Sequence, residues 1–262
     1  MVHFLFPSHP LDPVVPDELF VEQYKALVSR GFSVSLFPES VIREGASLRN
    51  IPLAGRVVYR GWMLKRDEYT TLTDAITRAG ATPFTTPIQY VAAHHLPGWY
   101  PLIADFTPET RIYPVDADMP SELAALGWGA YFVKDYVKSL KTSVGSIIRE
   151  PSQIVHVLSE MRKYRDEIEG GICIRRVEDF QLETETRYFV IEGRPFAPDL
   201  SGNVVEVVSE CARRVPNDFV SVDVVLRRDG ELRVVEIGDG QVSDLVGWSA
   251  EAFAEAWVRV SQ

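Results

Sequence analysis

Short apolar runs and amphipathic segments alternate through the first third of the chain. Val2–Phe6 is a compact apolar run stopped by Pro7 and reads as a first strand. Asp17–Arg30 sets Leu19, Phe20, Tyr24, Leu27 and Val28 at helical spacing, with Gly31 as a natural stop. Phe32–Phe37 alternates with the period of a strand, and Arg56–Arg60 forms another. Asp67–Ala79 predicts a second helix, capped by Asp67 and ended by Gly80. This β-α-β-β-α order predicts an α/β unit with a mostly parallel sheet.

The texture changes between about Pro83 and Pro120, where prolines recur and no long helix is predicted. The stretch reads as a crossing region between two domains. From Ala130 the pattern is strand-rich. Tyr131–Lys134, Gly171–Val177 and Thr186–Ile191 read as strands; Pro151–Ile168 and Val204–Arg214 read as helices. Val220–Arg227 and Glu231–Ile237, joined across Asp229-Gly230, give the clearest hairpin signal, and Ser249–Val260 closes the chain as an amphipathic helix.

Composition narrows the function classes. The 262 residues carry 27 Lys plus Arg against 37 Asp plus Glu, a formal charge of −10, which disfavours an extended nucleic acid or an anionic membrane as partner. No apolar stretch approaches the ~20 residues of a membrane span, and the N-terminus lacks the basic flank of a signal peptide, so the expected location is the cytoplasm. Cys173 and Cys211 lack metal-ligand spacing and read as core thiols of a reducing compartment. No oligomer seam is visible.

The familiar phosphate-loop, dinucleotide, nucleophile-elbow, HExxH and CxxC motifs are all missing. The adjacent His94-His95 pair diverges on either a helix or a strand and makes a poor metal pair. Acids inside the hairpin are more informative. Asp223 lies within an apolar strand and Glu236 within its partner strand, and antiparallel pairing can bring them to one face. Such a pair calls for Mg²⁺ or a shared proton, and Asp239, just beyond, could complete the set.

Cations converge from elsewhere. Lys134 ends an apolar strand, and the hydroxyl-rich, basic stretch 138–146 that follows, with Lys141 and Ser143, can close over phosphates. Arg175 and Arg176 alternate to opposite faces of their strand, whereas Glu185 and Arg187 share a side of the next. Together these residues put positive charge beside an acid pair, as an Mg-nucleotide site requires.

The ordered set Phe132-Val133-Lys134, Ser143-Val144-Gly145, Ile174–Glu178, Glu185-Thr186-Arg187, Val222-Asp223-Val224 and Val235-Glu236-Ile237 resembles the ATP-grasp superfamily. Further segments, Arg60–Leu64, His94–Pro101 and Gly238–Ser243, resemble a compact, arginine-rich bacterial and phage branch of it. The resemblance implies an N-terminal α/β domain over 1–115 and, over 116–262, an ATP-grasp fold of two α+β subdomains. It implies ATP and Mg²⁺ as cofactors. Lys134 would hold the α/β-phosphates, the backbone near Val177–Asp179 the adenine, and Glu185 the ribose or a nearby loop. Asp223 and Glu236 would hold Mg²⁺.

Gly238 stands where most members carry Asn, with Asp239 next to it, and either Arg175-Arg176 or Val177-Glu178 can occupy the usual hinge pair. The implied reaction is carboxylate–amine ligation through an acyl phosphate, on small-molecule or peptide substrates, releasing ADP and phosphate. Arg187 and Arg175 are the candidates for the transferring phosphoryl group, and Arg60 for the acceptor carboxylate. A small-molecule kinase and a weakly catalytic nucleotide-binding regulator are the alternative readings.

Overall fold

A computed structural model describes residues 2–52, 55–137, 145–165 and 168–262. The N-terminal third runs β1 (Val2–His9), β2 (Asp12–Pro16), α1 (Val21–Ser29), β3 (Ser33–Phe37), α2 (Ser40–Arg43), β4 (Arg56–Tyr59), α3 (Arg66–Arg78) and β5 (Thr82–Pro83). Then follow α4 (Pro87–His94), α5 (Leu96–Ile103), β6 (Thr110–Tyr113), α6 (Met119–Leu126), β7 (Tyr131–Asp135), β8 (Ile147–Ile148), α7 (Ile154–Arg165) and β9 (Ile172–Arg176). The remainder is β10 (Phe180–Ile191), β11 (Arg194–Phe196), α8 (Glu206–Arg214), β12 (Phe219–Arg227), β13 (Leu232–Asp239) and α9 (Ala250–Ser261).

The chain divides into two compact units: Met1–Ala93, Thr186–Asp223 and Ile237–Gln262 form the first, His94–Glu185 and Val224–Glu236 the second. The partition interleaves chain segments, and falls within β10, β12 and β13. A single boundary near residue 115 is what the sequence leads one to expect.

In the first unit β1 is central, parallel to β3 on one side and to β4 on the other, with β5 parallel to β4 and β2 antiparallel to β1. Period-two alternation splits its side chains between two cores. Phe4 and Phe6 join Val58, Phe219, Phe253 and Trp257 in one cluster; Leu5 joins Val57, Tyr59, Leu72 and Ile76 in the other. Burial on both faces explains why β1 reads as a continuous apolar run. In the second unit β6-β9-β7-β8 form an antiparallel sheet. Tyr131, Val133, Ile172 and Ile174 pack one of its faces against α6 and α7. Lys134 lies opposite Cys173, and Phe132 opposite Arg175.

Several boundaries differ from the sequence pattern for identifiable reasons. The helix expected from Asp67 starts at Arg66, because the Lys65 N–H donates to the Glu68 carboxylate (2.7 Å) and closes the first turn one residue earlier. The segment from Asp17 opens as a 3₁₀ turn, Glu18–Phe20, whose Leu19 N–H donates to Asp17 Oδ1, before α1 begins. The proline-rich stretch holds two eight-residue helices, α4 and α5: Pro87 and Pro97 occupy first turns, where no N–H is needed. Strand β10 begins six residues before Thr186, since its polar first half lacks an alternating apolar face.

Candidate functional site

Lys134 sits near the end of β7, 4% exposed, its stem buried and its Nζ donating to Glu236 Oε1 at 2.9 Å. The carboxylate is the more open partner of the pair, with 44% of its side chain exposed. Cys173, opposite Lys134 in the register, is fully buried, and burial pushes its thiol up to about 12, as expected of a core cysteine.

Arg175 shares the Lys134 face of β9 but is committed inside the unit. Its Nη1 donates to Val235 O and its Nη2 to Thr107 Oγ1, both at 2.6 Å, and Trp99 lies 5.9 Å from its guanidinium. Burial lowers its pKa to about 10, so it stays charged at neutral pH, and its geometry is that of a brace between β9, β13 and the chain at Thr107. The phosphoryl-contact role expected of Arg175 therefore lacks a free guanidinium edge beyond Nε, which has no partner among the described residues.

The hinge is held from the side. Glu178 accepts from Arg233 Nε (2.9 Å) and Nη2 (3.1 Å) and from Arg227 Nη1 (3.2 Å), while Arg228 pairs with Asp179 at 3.1 Å. The Glu178 carboxylate is thus occupied, and it is the backbone of the Val177–Asp179 segment that remains for a ligand. Glu185 is exposed on β10. Lys141 and Ser143, with the rest of 138–144, lie outside the described residues. His95, beside the hinge-proximal strands, approaches Glu169 Oε1 at 3.2 Å, a structural pairing.

In the first unit Arg187 and Asp223 form a two-point pair: Nε and Nη2 each donate to one carboxylate oxygen at 2.7 Å. Arg187 Nη1 also donates to Asp244 O, and Trp248 Nε1 to Arg187 O, which fixes both the head and the backbone of the arginine. Asp223 and Glu236 fall in different units, each beside its own cation.

Arg60 is 1% exposed, and its donors go to Gln23 Oε1, Gly240 O and Ser243 O. Burial lowers its pKa to about 10, with Asp244 and Asp239 opposing the shift. A guanidinium so enclosed fixes the loop after β13; the acceptor-carboxylate role expected from its strand-end position finds no exposed edge. Asp239 is likewise enclosed. Its Oδ1 accepts from Gln241 N (3.0 Å) and Nε2 (3.2 Å), its Oδ2 from Asn217 Nδ2 (3.4 Å), and burial pushes its carboxyl up to about 7. Its oxygens serve the loop, which removes it from the expected metal set.

The glycine at the usual Asn position also has a local cause. A Cβ on Gly238 would stand 3.0 Å from both Ser221 Oγ and Ser243 Oγ, which are hydrogen-bonded to one another at 2.7 Å. Among the described residues no group of three or more His, Cys, Asp or Glu is placed to hold a metal ion. Asp223 and Glu236 remain as hard oxygen donors, each already beside a cation, and that donor chemistry fits Mg²⁺ better than a softer metal.

Sequence reasoning misses the Arg227 and Arg233 clamp and the Gln241 anchor. The arginines are visible as hairpin residues, but their partner Glu178 is about fifty positions away in sequence, at separations of 49 and 55.

A family model described as an ATP-grasp domain, family 3 of its clade, matches residues 125–257. No curated protein matches the sequence. Among solved structures, a RimK domain ATP-grasp protein from Sphaerobacter thermophilus superposes with a TM-score of 0.63 at 12% identity, over 97% of this chain and 98% of that one. The ATP-grasp ligase PsnB, complexed with a minimal precursor, gives 0.61 at 14% identity over 98% of each chain. A D-alanine–D-alanine ligase from Bacillus anthracis gives 0.61 at 11% identity, over 99% of this chain and 97% of that one. At these identities the likeness is one of fold.

Proposed function

Because the chain belongs to the ATP-grasp superfamily, we propose that it is an ATP-dependent ligase joining a carboxylate to an amine. The observation that carries this reading is the family match over 125–257, the stretch that contains Lys134, Arg187, Asp223 and Glu236. Bound Mg-ATP supplies the phosphoryl group that turns the substrate carboxylate into an acyl phosphate, from which an amine displaces phosphate.

The chain's own residues supply position and charge, which is most of what phosphoryl transfer requires. Lys134 holds the α/β-phosphates, and Lys141 and Ser143 cover them. Arg187 neutralises the transferring group; its two-point grip on Asp223 keeps the guanidinium plane oriented. Asp223 and Glu236 hold Mg²⁺. The backbone of Val177–Asp179 receives the adenine and Glu185 the ribose. Arg175 and Arg60 act as braces behind these groups, and the substrates are small-molecule or peptide carboxylates and amines. Until ligands arrive, Lys134 and Arg187 keep the two carboxylates neutralised.

The test supplies Mg-ATP with pooled amino acids, dipeptides and small acids, following phosphate release and new masses. The reading requires phosphate release only when acid and amine are both present, with a product equal to their sum less water. A phosphorylated product that survives added amine would instead identify a kinase.

A further inference from the structure

Strand alternation separates two faces of β9. Register partners in an antiparallel pair share a face, so Arg175, opposite Phe132, lies on the face of Cys173 and Lys134. Arg176, the next residue, points the other way; its register partner Tyr131 belongs to the apolar cluster under α6 and α7.

Arg176 lines a cavity of about 410 Å³ inside the second unit, together with Tyr100, Ala104, Thr107, Glu109, Glu178, Arg227 and Arg233. Neither Lys134, Arg175, Glu185 nor Glu236 contributes to it. The volume is that of a small-molecule site.

The hydrogen-bonding balance of the lining identifies the ligand class. Both carboxylates are already matched: Glu178 by Arg233 and Arg227, Glu109 by Arg111 Nη2 at 2.6 Å. Two donors are not. The Arg176 side chain, 58% exposed, has a single ion-pair contact, Glu109 Oε2 at 3.8 Å, beyond hydrogen-bond reach. The Tyr100 hydroxyl accepts from the Thr110 N–H (3.0 Å), and among the described residues its own proton goes to no acceptor. A free guanidinium fork and a free hydroxyl proton in one polar cavity call for an acceptor with negative charge, and the planar fork matches a carboxylate.

We infer that this cavity binds a small carboxylate, with Arg176 and Tyr100 as donors, at a second site separate from the Lys134 face. Arg227 and Arg233 shape its wall through Glu178, and Ala104 gives an apolar patch for the carbon skeleton. The inference stands apart from the nucleotide assignment, since no lining side chain is needed there.

The experiment is calorimetric titration of the intact protein with sodium glutarate at constant ionic strength, and in a parallel arm with acetyl-Gly-Glu-Gly-amide. Saturable one-to-one binding of glutarate is expected. Arg176→Gln should weaken it about tenfold or more and Tyr100→Phe several-fold, the loss of a charge-assisted and a neutral hydrogen bond respectively. Lys134→Met should leave it within about twofold, a control on the opposite face. Circular dichroism of each variant confirms folding, and the two pocket variants report independently. No saturable glutarate binding, binding indifferent to both pocket variants, or binding lost in Lys134→Met would overturn the inference. Tighter binding of the capped peptide than of glutarate would overturn the small-molecule assignment in favour of a protein side chain.

Discussion

Replacing Arg187 by Met leaves Asp223, with 7% of its side chain exposed, without either of its 2.7 Å donors. The carboxylate is then an uncompensated charge in a nearly dry setting, a change that costs about 3–5 kcal/mol in comparable buried pairs. Removing both charges is a different perturbation: in Arg187→Met/Asp223→Leu nothing charged is stranded, and the loss should shrink to about 1–2 kcal/mol. The double-mutant cycle should therefore give a coupling energy of roughly 2–3 kcal/mol between the two positions. Equilibrium urea denaturation of wild type, both single variants and the double variant measures it, with equal m-values as the condition for comparing midpoints. Additivity within about 0.5 kcal/mol would refute the reasoning, because the pair would then be solvated and each side chain independent. The cycle also matters for function: an Asp223 variant that loses nucleotide affinity says something about metal holding only once its folded fraction is known.

Asp239 predicts a pH dependence of stability. Its carboxyl titrates near 7 when folded and near 3.8 otherwise, so the folded chain keeps a proton that the unfolded chain releases. Stability is complete below about pH 4 and is lost as pH rises towards 7, by roughly 4 kcal/mol; Asp239→Asn should flatten the fall in melting temperature between pH 5 and 8, and a variant whose profile parallels wild type contradicts the burial argument. Arg233→Met should loosen the hinge by releasing Glu178, with faster amide exchange over 176–180 and about 1–3 kcal/mol lost; unchanged exchange would mean Arg227 alone suffices. Gly240→Ala should destabilise by about 1–3 kcal/mol in thermal denaturation, because a Cβ there would stand 2.4 Å from the Phe219 ring, and an unchanged melting temperature would show that the ring can give way.

The two cores are legible in the sequence wherever one residue decides its own environment. Phe4, Leu5 and Phe6 announce a strand buried on both faces, and the Asp229-Gly230 turn fixes the hairpin, with Gly230 at φ +92°. The placement of Lys134 at the end of an apolar strand is equally readable, since a lysine there must carry its ammonium beyond the core. What stays hidden is competition between partners. Arg60, Arg175 and Glu178 have the residue types of ligand-binding groups, but whether a guanidinium or carboxylate faces a ligand or a neighbour depends on contacts far along the chain. For Arg60 those are Gly240 O and Ser243 O, and for Glu178 they are Arg227 and Arg233. The helices α4 and α5 are hidden because proline is tolerated in a first turn, where the sequence signal resembles that of a loop.

The central claim is that this fold grips Mg-ATP through Lys134. Isothermal titration of the intact protein with AMPPNP and Mg²⁺, on wild type and on Lys134→Met, tests it most directly. Saturable binding to wild type, weakened about 10- to 100-fold in the variant by loss of a charge-assisted contact, is the predicted result. Absence of binding to wild type, or equal affinity in the folded variant, would contradict it.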